Sequence, residues 1–159
     1  MTGANYIGNE VSQKGTKSFK TFNPKLNAPT IWSFQEANED EINEAAFLAV
    51  EAFETYKEFS GKRKAEFLRA IAQEIENIGA TLIAVYMEES GLPEGRAKGE
   101  RGRTIGQLNA FAALLEEGSW VDAMIDKAQP ERQPLPKVDL RKLLWPIGPI
   151  VVFGSSNFP

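Results

Sequence analysis

The segment Pro149-Ile150-Val151-Val152-Phe153, closed by Gly154, constrains this chain more than any other. It is a continuous apolar run without alternation, the pattern of a β-strand buried on both faces in a parallel sheet covered by helices. Such a strand needs hydrogen-bonded neighbours on each side and crossover helices above and below. All the helical patterns precede the run, and no further strand pattern follows it. Left bare, its edge is an aggregation site. The expectation is an α/β fold of which this chain is the beginning, incomplete without more polypeptide.

Composition narrows the function classes. The 159 residues are 42% apolar and 25% charged, which excludes wholesale disorder. Eighteen Lys and Arg against 22 Asp and Glu leave a net charge of -4, so nucleic acid is not an expected partner. The apolar runs are too short to cross a bilayer, and Met1-Thr2-Gly3-Ala4-Asn5 lacks the marks of a secretory signal. A soluble cytoplasmic protein with no membrane partner is expected. Cys and His are both absent. That removes disulfides, the thiol nucleophile, the commonest metal ligands and the commonest general base. No metal site is expected, and chemistry must come from carboxylates, amides, hydroxyls and backbone, or from a longer polypeptide.

Residues 1–37 read as a β arm. Tyr6-Ile7-Gly8-Asn9-Glu10 and Phe19-Lys20-Thr21-Phe22 suggest a hairpin, and Thr30-Ile31-Trp32-Ser33-Phe34-Gln35 a third extended piece. Residues 38–128 read as helical. Asn38 with Glu41 forms a capping-box pattern, and Ile42, Ala45, Ala46, Ala49, Phe53 and Tyr56 follow as the apolar stripe of a first helix. A second helix starts near Ser60, carries Phe67, Leu68, Ile71, Ile75 and Ile78, and stops at Gly79. Lys62, Arg63 and Lys64 sit unfavourably in its first turn. A third covers Ala80 to about Glu89. Pro93 is suited to the first position of a fourth, running to about Glu117.

That fourth segment carries Gly95, Gly99, Gly102 and Gly106 on one face. Each costs about 1 kcal/mol relative to Ala in a helix interior, so something outside the helix is expected to compensate. Beside them runs a polar ridge of Arg96, Glu100, Arg103 and Gln107. As local chemistry the ridge reads as a solvated stripe with ion pairs Arg96/Glu100 and Glu100/Arg103, or as the polar wall of a cleft. Residues 129–146 form a proline-punctuated connector and an extended strand from Leu140 to Leu144. Residues 147–159 hold the apolar strand and the tip Gly154-Ser155-Ser156-Asn157-Phe158-Pro159, placed where open α/β sheets bind ligands. Neither GxGxxG nor a Walker pattern is present.

Pro146-Ile147-Gly148, an apolar strand and then Asn157-Phe158-Pro159 resemble the aldehyde dehydrogenase superfamily. Glu89-Ser90-Gly91-Leu92-Pro93 and Gly99-Glu100-Arg101-Gly102-Arg103-Thr104-Ile105-Gly106-Gln107-Leu108 are similar to its branch of 2-oxoglutarate semialdehyde (2,5-dioxopentanoate) and NADP-linked fatty aldehyde dehydrogenases. The resemblance covers essentially the whole chain but only the N-terminal portion of such an enzyme. It implies a β arm, a helical segment and the first strand of a Rossmann-like cofactor sheet.

The implied chemistry is oxidation of an aldehyde, here an oxo-acid semialdehyde, to a carboxylate with NADP or NAD. A Cys thiolate attacks, hydride leaves, and a Glu-activated water hydrolyses the thioester. By the resemblance, Asn157 donates to the oxyanion, and Phe153, Gly154, Ser155 and Ser156 line the cofactor. Many relatives carry Pro-Trp where this sequence has Ser155-Ser156. The long helix before the oligomerisation strand lines the substrate tunnel, which places Glu100, Arg103, Thr104 and Gln107 near the aldehyde's distal end. Arg103 is the first choice for pairing a substrate carboxylate, with Arg101 or Arg96 as substitutes. The family's Cys and general-base Glu fall beyond residue 159, so the 159-residue chain alone is expected to be inactive. The complete enzyme is expected to be a homodimer or homotetramer. The alternative is a non-catalytic helical interaction or regulatory fragment.

Overall fold

A computed structural model describes residues 3–154. The chain opens with β1 (Asn5–Ile7) and β2 (Glu10–Ser12), then β3 (Ser18–Asn23) and β4 (Ala28–Gln35). Four helices follow: α1 (Glu39–Tyr56), α2 (Gly61–Ile78), α3 (Ala80–Ser90) and α4 (Glu94–Glu117). A 3-10 turn over Ser119–Val121 leads to β5 (Met124–Asp126), and β6 (Leu140–Lys142) is the last strand among the described residues.

The β arm is two antiparallel hairpins rather than one. Gly8, at φ 61°, turns the chain between β1 and β2, so Tyr6 faces Val11 and the segment read as a single strand folds on itself. β3 pairs instead with β4, stacking Phe19 on Phe34 at 5.7 Å between ring centres. The Thr21 and Thr30 hydroxyls meet at 2.6 Å, and Trp32 Nε1 reaches Glu88 of α3 at 3.3 Å.

The helix boundaries follow the caps. Asn38 Oδ1 accepts from the Glu41 amide at 2.8 Å while the Asn38 amide donates to the Glu41 carboxylate at 3.0 Å, a reciprocal box. Ser60 accepts from the Arg63 amide, and Gly79 ends α2 as expected. The basic first turn of α2 finds partners: Lys64 donates to the Lys57 carbonyl at the negative end of α1, and the Arg63 guanidinium lies 3.6 Å from the Phe59 ring centre. Pro93 is the N-cap of α4 in extended geometry, one position earlier than the sequence suggests.

The packed centre is the antiparallel pair α2 and α4. Ala65 and Ala72 of α2 and Ala97 and Ala112 of α4 are buried, and their small side chains let the helices close in. A Cβ on Gly61 would lie 2.2 Å from the Leu115 carbonyl oxygen, so glycine is required for this approach. Arg101 to Glu76 at 3.2 Å and Arg69 to Glu116 at 2.5 Å tie the edges.

The apolar stripe of α1 is largely open: Ile42 is 59% exposed, and Ala45, Ala46 and Ala49 are exposed too. It faces an open cleft shared with Tyr6, Ile7 and Pro149–Val151, and the buried side chain of α1 is Glu41. Two expectations are corrected here. First, the span read as helical contains β5, which pairs with β6 across the proline connector, Met124 opposite Lys142. Second, residues 143–154 form no strand; Val152 is 85% and Phe153 88% exposed. An apolar run becomes a strand only where neighbours supply the ladder, and none of the described strands lies beside it.

Candidate functional site

The sequence places its candidate residues on α4 and at the carboxyl tip. α4 turns one face toward α2 and α3, with Ala97 and Ala112 buried and Arg101, Ile105, Leu108 and Leu115 half-buried. Gly95, Gly99, Gly102 and Gly106 lie off that face, with nothing within 4 Å of where a Cβ would sit. No compensating element covers them among the described residues.

Two clefts flank the polar ridge. One, of about 430 Å³, lies between α2, α3 and α4 and carries Ile75, Ile78, Leu82, Ile83 and Tyr86 against Glu100, Arg101, Arg103 and Thr104. The other, of about 600 Å³, runs along α4 past Arg103, Gly106, Gln107, Ala110, Phe111 and Leu114. Glu100 and Thr104 therefore share the first cleft and Gln107 belongs to the second. Arg103 lines both. The expected single wall is a ridge with two sides.

Glu100 is the electrostatic pivot of that ridge. Its carboxylate, 17% exposed, takes Arg96 at 2.9 Å from the preceding turn and Arg103 Nε at 3.3 Å from the following one. Pairs at these helical spacings contribute only about 0.2–0.5 kcal/mol each. Their consequence is orientation. Arg101, which also lines the first cleft, pairs with Glu76 of α2 at 3.2 Å. Tyr86, Phe111 and Leu114 also line the clefts without having been singled out in the sequence; Phe111 stands one turn beyond Gln107, a signal already present in the spacing.

A second polar centre joins the arm to α1. Glu41 is fully buried and accepts from the Ser12 hydroxyl, the Lys14 amide at 3.1 Å and the Asn38 amide at 3.0 Å. Led by the Ser12 hydrogen bond, these donors hold its carboxyl down from the ordinary 4.5 to about 2. This centre is structural.

At the tip, Phe153 is exposed and no atom lies within 4 Å of a Cβ position on Gly154. Ser155, Ser156 and Asn157 lie outside the described residues. Among the described residues no group of three His, Cys, Asp or Glu side chains is placed to hold a metal ion. No helix among them is long and apolar enough to cross a membrane.

Residues 11–159 match the model of the aldehyde dehydrogenase family. The chain belongs to that family. It is 42% identical over 157 residues to an α-ketoglutaric semialdehyde dehydrogenase of Acinetobacter baylyi, covering 99% of this chain and 30% of that protein. An α-ketoglutaric semialdehyde dehydrogenase of Azospirillum brasilense is 42% identical over 163 residues, covering all of this chain and again 30% of the relative. The chain thus spans about 30% of the length of the curated relatives it matches. Its fold matches a benzaldehyde dehydrogenase from Corynebacterium glutamicum with a TM-score of 0.71 at 15% identity, over 81% of this chain and 28% of that one. A succinate-semialdehyde dehydrogenase from Burkholderia pseudomallei matches with a TM-score of 0.69 at 23% identity, over 80% and 26%. This aldehyde dehydrogenase chain is therefore α/β in fold and a partial piece of the family architecture.

Proposed function

We propose that this chain is the N-terminal portion of an NAD(P)+-dependent aldehyde dehydrogenase that oxidises an oxo-acid semialdehyde, of the 2-oxoglutarate semialdehyde type, to the carboxylate. The observation that carries this reading is the 42% identity along 99% of the chain to a protein named for that aldehyde. Residues 1–37 form its arm, 38–128 the mainly helical part of its cofactor domain, 129–146 the connector and oligomerisation strand, and 147–159 the first sheet strand with the catalytic turn.

Phe153 and Gly154 stand exposed and form no dinucleotide cradle by themselves. The rest of the polypeptide completes one around them, together with Ser155 and Ser156. A betaine aldehyde dehydrogenase from Staphylococcus aureus with NAD+ bound, TM-score 0.70 at 17% identity over 79% of this chain and 25% of that one, supports a nicotinamide cofactor as the hydride acceptor.

The Asn157 side-chain amide donates to the oxygen that becomes negative when the aldehyde carbon turns tetrahedral. An amide suits that role because it donates without itself titrating. Arg103 faces the substrate side, flanked by Glu100 and Thr104 in one cleft of α4 and by Gln107 in the other. The packed α2–α4 pair holds them on a rigid element, as precise positioning requires. The exposed outer edge of β6 supports assembly as a homodimer or homotetramer.

The test is aldehyde-dependent NAD(P)H formation by the full-length polypeptide. Activity on the semialdehyde is expected, and Asn157→Ala is expected to lower kcat by about 100- to 1,000-fold. The isolated 159-residue chain is expected to form no NAD(P)H. Turnover by that isolated chain, or an unaffected Asn157→Ala enzyme, overturns the reading.

A further inference from the structure

The structural centre at Glu41 does more than cap a helix. A capping box works as well at the surface, whereas burying an anion is costly, so capping alone leaves the burial unexplained. Among the described residues no cation pairs with this carboxylate; the Lys14 ammonium goes to Glu44 at 2.9 Å. Neutral donors hold it instead, and they come from both sides of a seam. The Ser12 hydroxyl ends β2, the Lys14 amide comes just after it, and the Asn38 amide opens α1. The Asn5 side-chain amide of β1, buried and without another partner among the described residues, draws on the same carboxyl group. What the burial supplies is a fixed relation between the arm and α1.

The arm and α1 are two walls of one cleft of about 660 Å³. β1 contributes Asn5, Tyr6 and Ile7, α1 its alanine face, and Pro149–Val151 the third side, with Glu41 where the first two walls join. Val151 is followed at once by Val152, Phe153 and Gly154. Side chains alternate along an extended chain, so the seat of Ile150 and Val151 fixes which way Phe153 and Gly154 face. We propose that Glu41, through Ser12 and β1, is a positioning residue for cofactor binding. It sets the cleft wall that seats Ile150 and Val151, and with it the register of Phe153 and Gly154 toward the dinucleotide. The assignment rests on the aldehyde-oxidising reading above.

The experiment measures kcat and the separate KM values for NAD(P)+ and the semialdehyde in the full-length enzyme. Ser12→Ala is expected to raise the cofactor KM about three- to tenfold, with kcat and the aldehyde KM within about twofold. Glu41→Gln keeps the shape but turns an amide donor toward backbone amides, and a selective rise at least as large is expected. Ser12→Thr keeps the hydroxyl and is expected to restore the wild-type KM. Ser60→Ala removes a cap from α2, away from the cleft, and measures a merely structural loss: a lower thermal midpoint with the cofactor KM unchanged. In Ile150→Ala the seat is already cut back, so adding Ser12→Ala is expected to raise the cofactor KM by less than about twofold more. Should Glu41→Gln fail to fold, Ser12→Ala decides alone. A cofactor KM unmoved by Ser12→Ala, unrestored by Ser12→Thr, moved as far by Ser60→Ala, or raised additively on Ile150→Ala overturns the proposal. A wild-type enzyme that forms no NAD(P)H from the semialdehyde overturns the functional reading instead, so the two failures are distinguishable.

Discussion

The α2–α4 pair and the carboxyl tail contain comparable apolar patterns, yet only one is buried. α2 and α4 meet through Ala65, Ala72, Ala97 and Ala112, all at or near zero exposure. The tail from Ile147 to Phe153 is more apolar residue for residue and stands in solvent. Hydrophobicity supplies a driving force proportional to area removed from water, but removal needs a facing surface. The helix pair carries that surface within the chain. The tail and the α1 stripe share only an open cleft, and no element among the described residues closes it.

The sharpest way to break this contrast is to overfill the packed side. Ala65→Leu is expected to lower the unfolding free energy by about 1–3 kcal/mol, because α4 sits against a fully buried methyl group. Urea unfolding measures it; a loss near zero means that the pair is looser than described. Asn38→Ala removes the cap of α1 and is expected to cost about 1 kcal/mol by the same measurement.

The opposite sign is expected on the bare face of α4. Gly99→Ala meets no atom within 4 Å and is expected to stabilise this chain by up to about 1 kcal/mol. If an element of the longer enzyme covers that face, the same change destabilises the full-length protein. Comparing thermal midpoints of the two sharpens the contrast directly. On the tail, Ile150→Ser is expected to change stability by less than about 0.5 kcal/mol while reducing self-association in sedimentation velocity, since Ile150 is 78% exposed.

Glu41 supplies a pH test of the arm. Its folded-state pKa is depressed, so the stability it lends is fully present above its unfolded value near 4.5 and is lost as pH falls toward about 2. Ser12→Ala removes the leading donor and is expected to destabilise at neutral pH, with the gap from wild type closing between those limits. A gap constant down to pH 2 removes the linkage.

How much was legible differs from element to element. The Asn38–Glu41 box, the Ser60 cap and the Gly79 stop could be read because each depends on residues within one turn. The Arg96–Glu100–Arg103 chain was legible for the same reason. The β arm was misread because strand pairing is non-local: Gly8 at positive φ divides what looks like one strand, and Ser18–Asn23 then finds Ala28–Gln35. The α1 stripe was legible as one apolar face, but its exposure was not, because periodicity shows which residues share a face and not how closely anything covers them. The division of the ridge into two clefts was also hidden, since Arg103 reaches both sides only once α2 and α3 are in place.

The sequence by itself determined the helices, their caps, the polar ridge and the family, because these rest on neighbours along the chain and on residue identities. Tertiary structure alone decided that Glu41, a capping residue, is the buried anchor between arm and helix. It also decided that the acid Glu100 and the amide Gln107 open onto opposite sides of one arginine. Both outcomes depend on segments far apart in sequence arriving at one place, where burial and charge are settled by what lies across the gap.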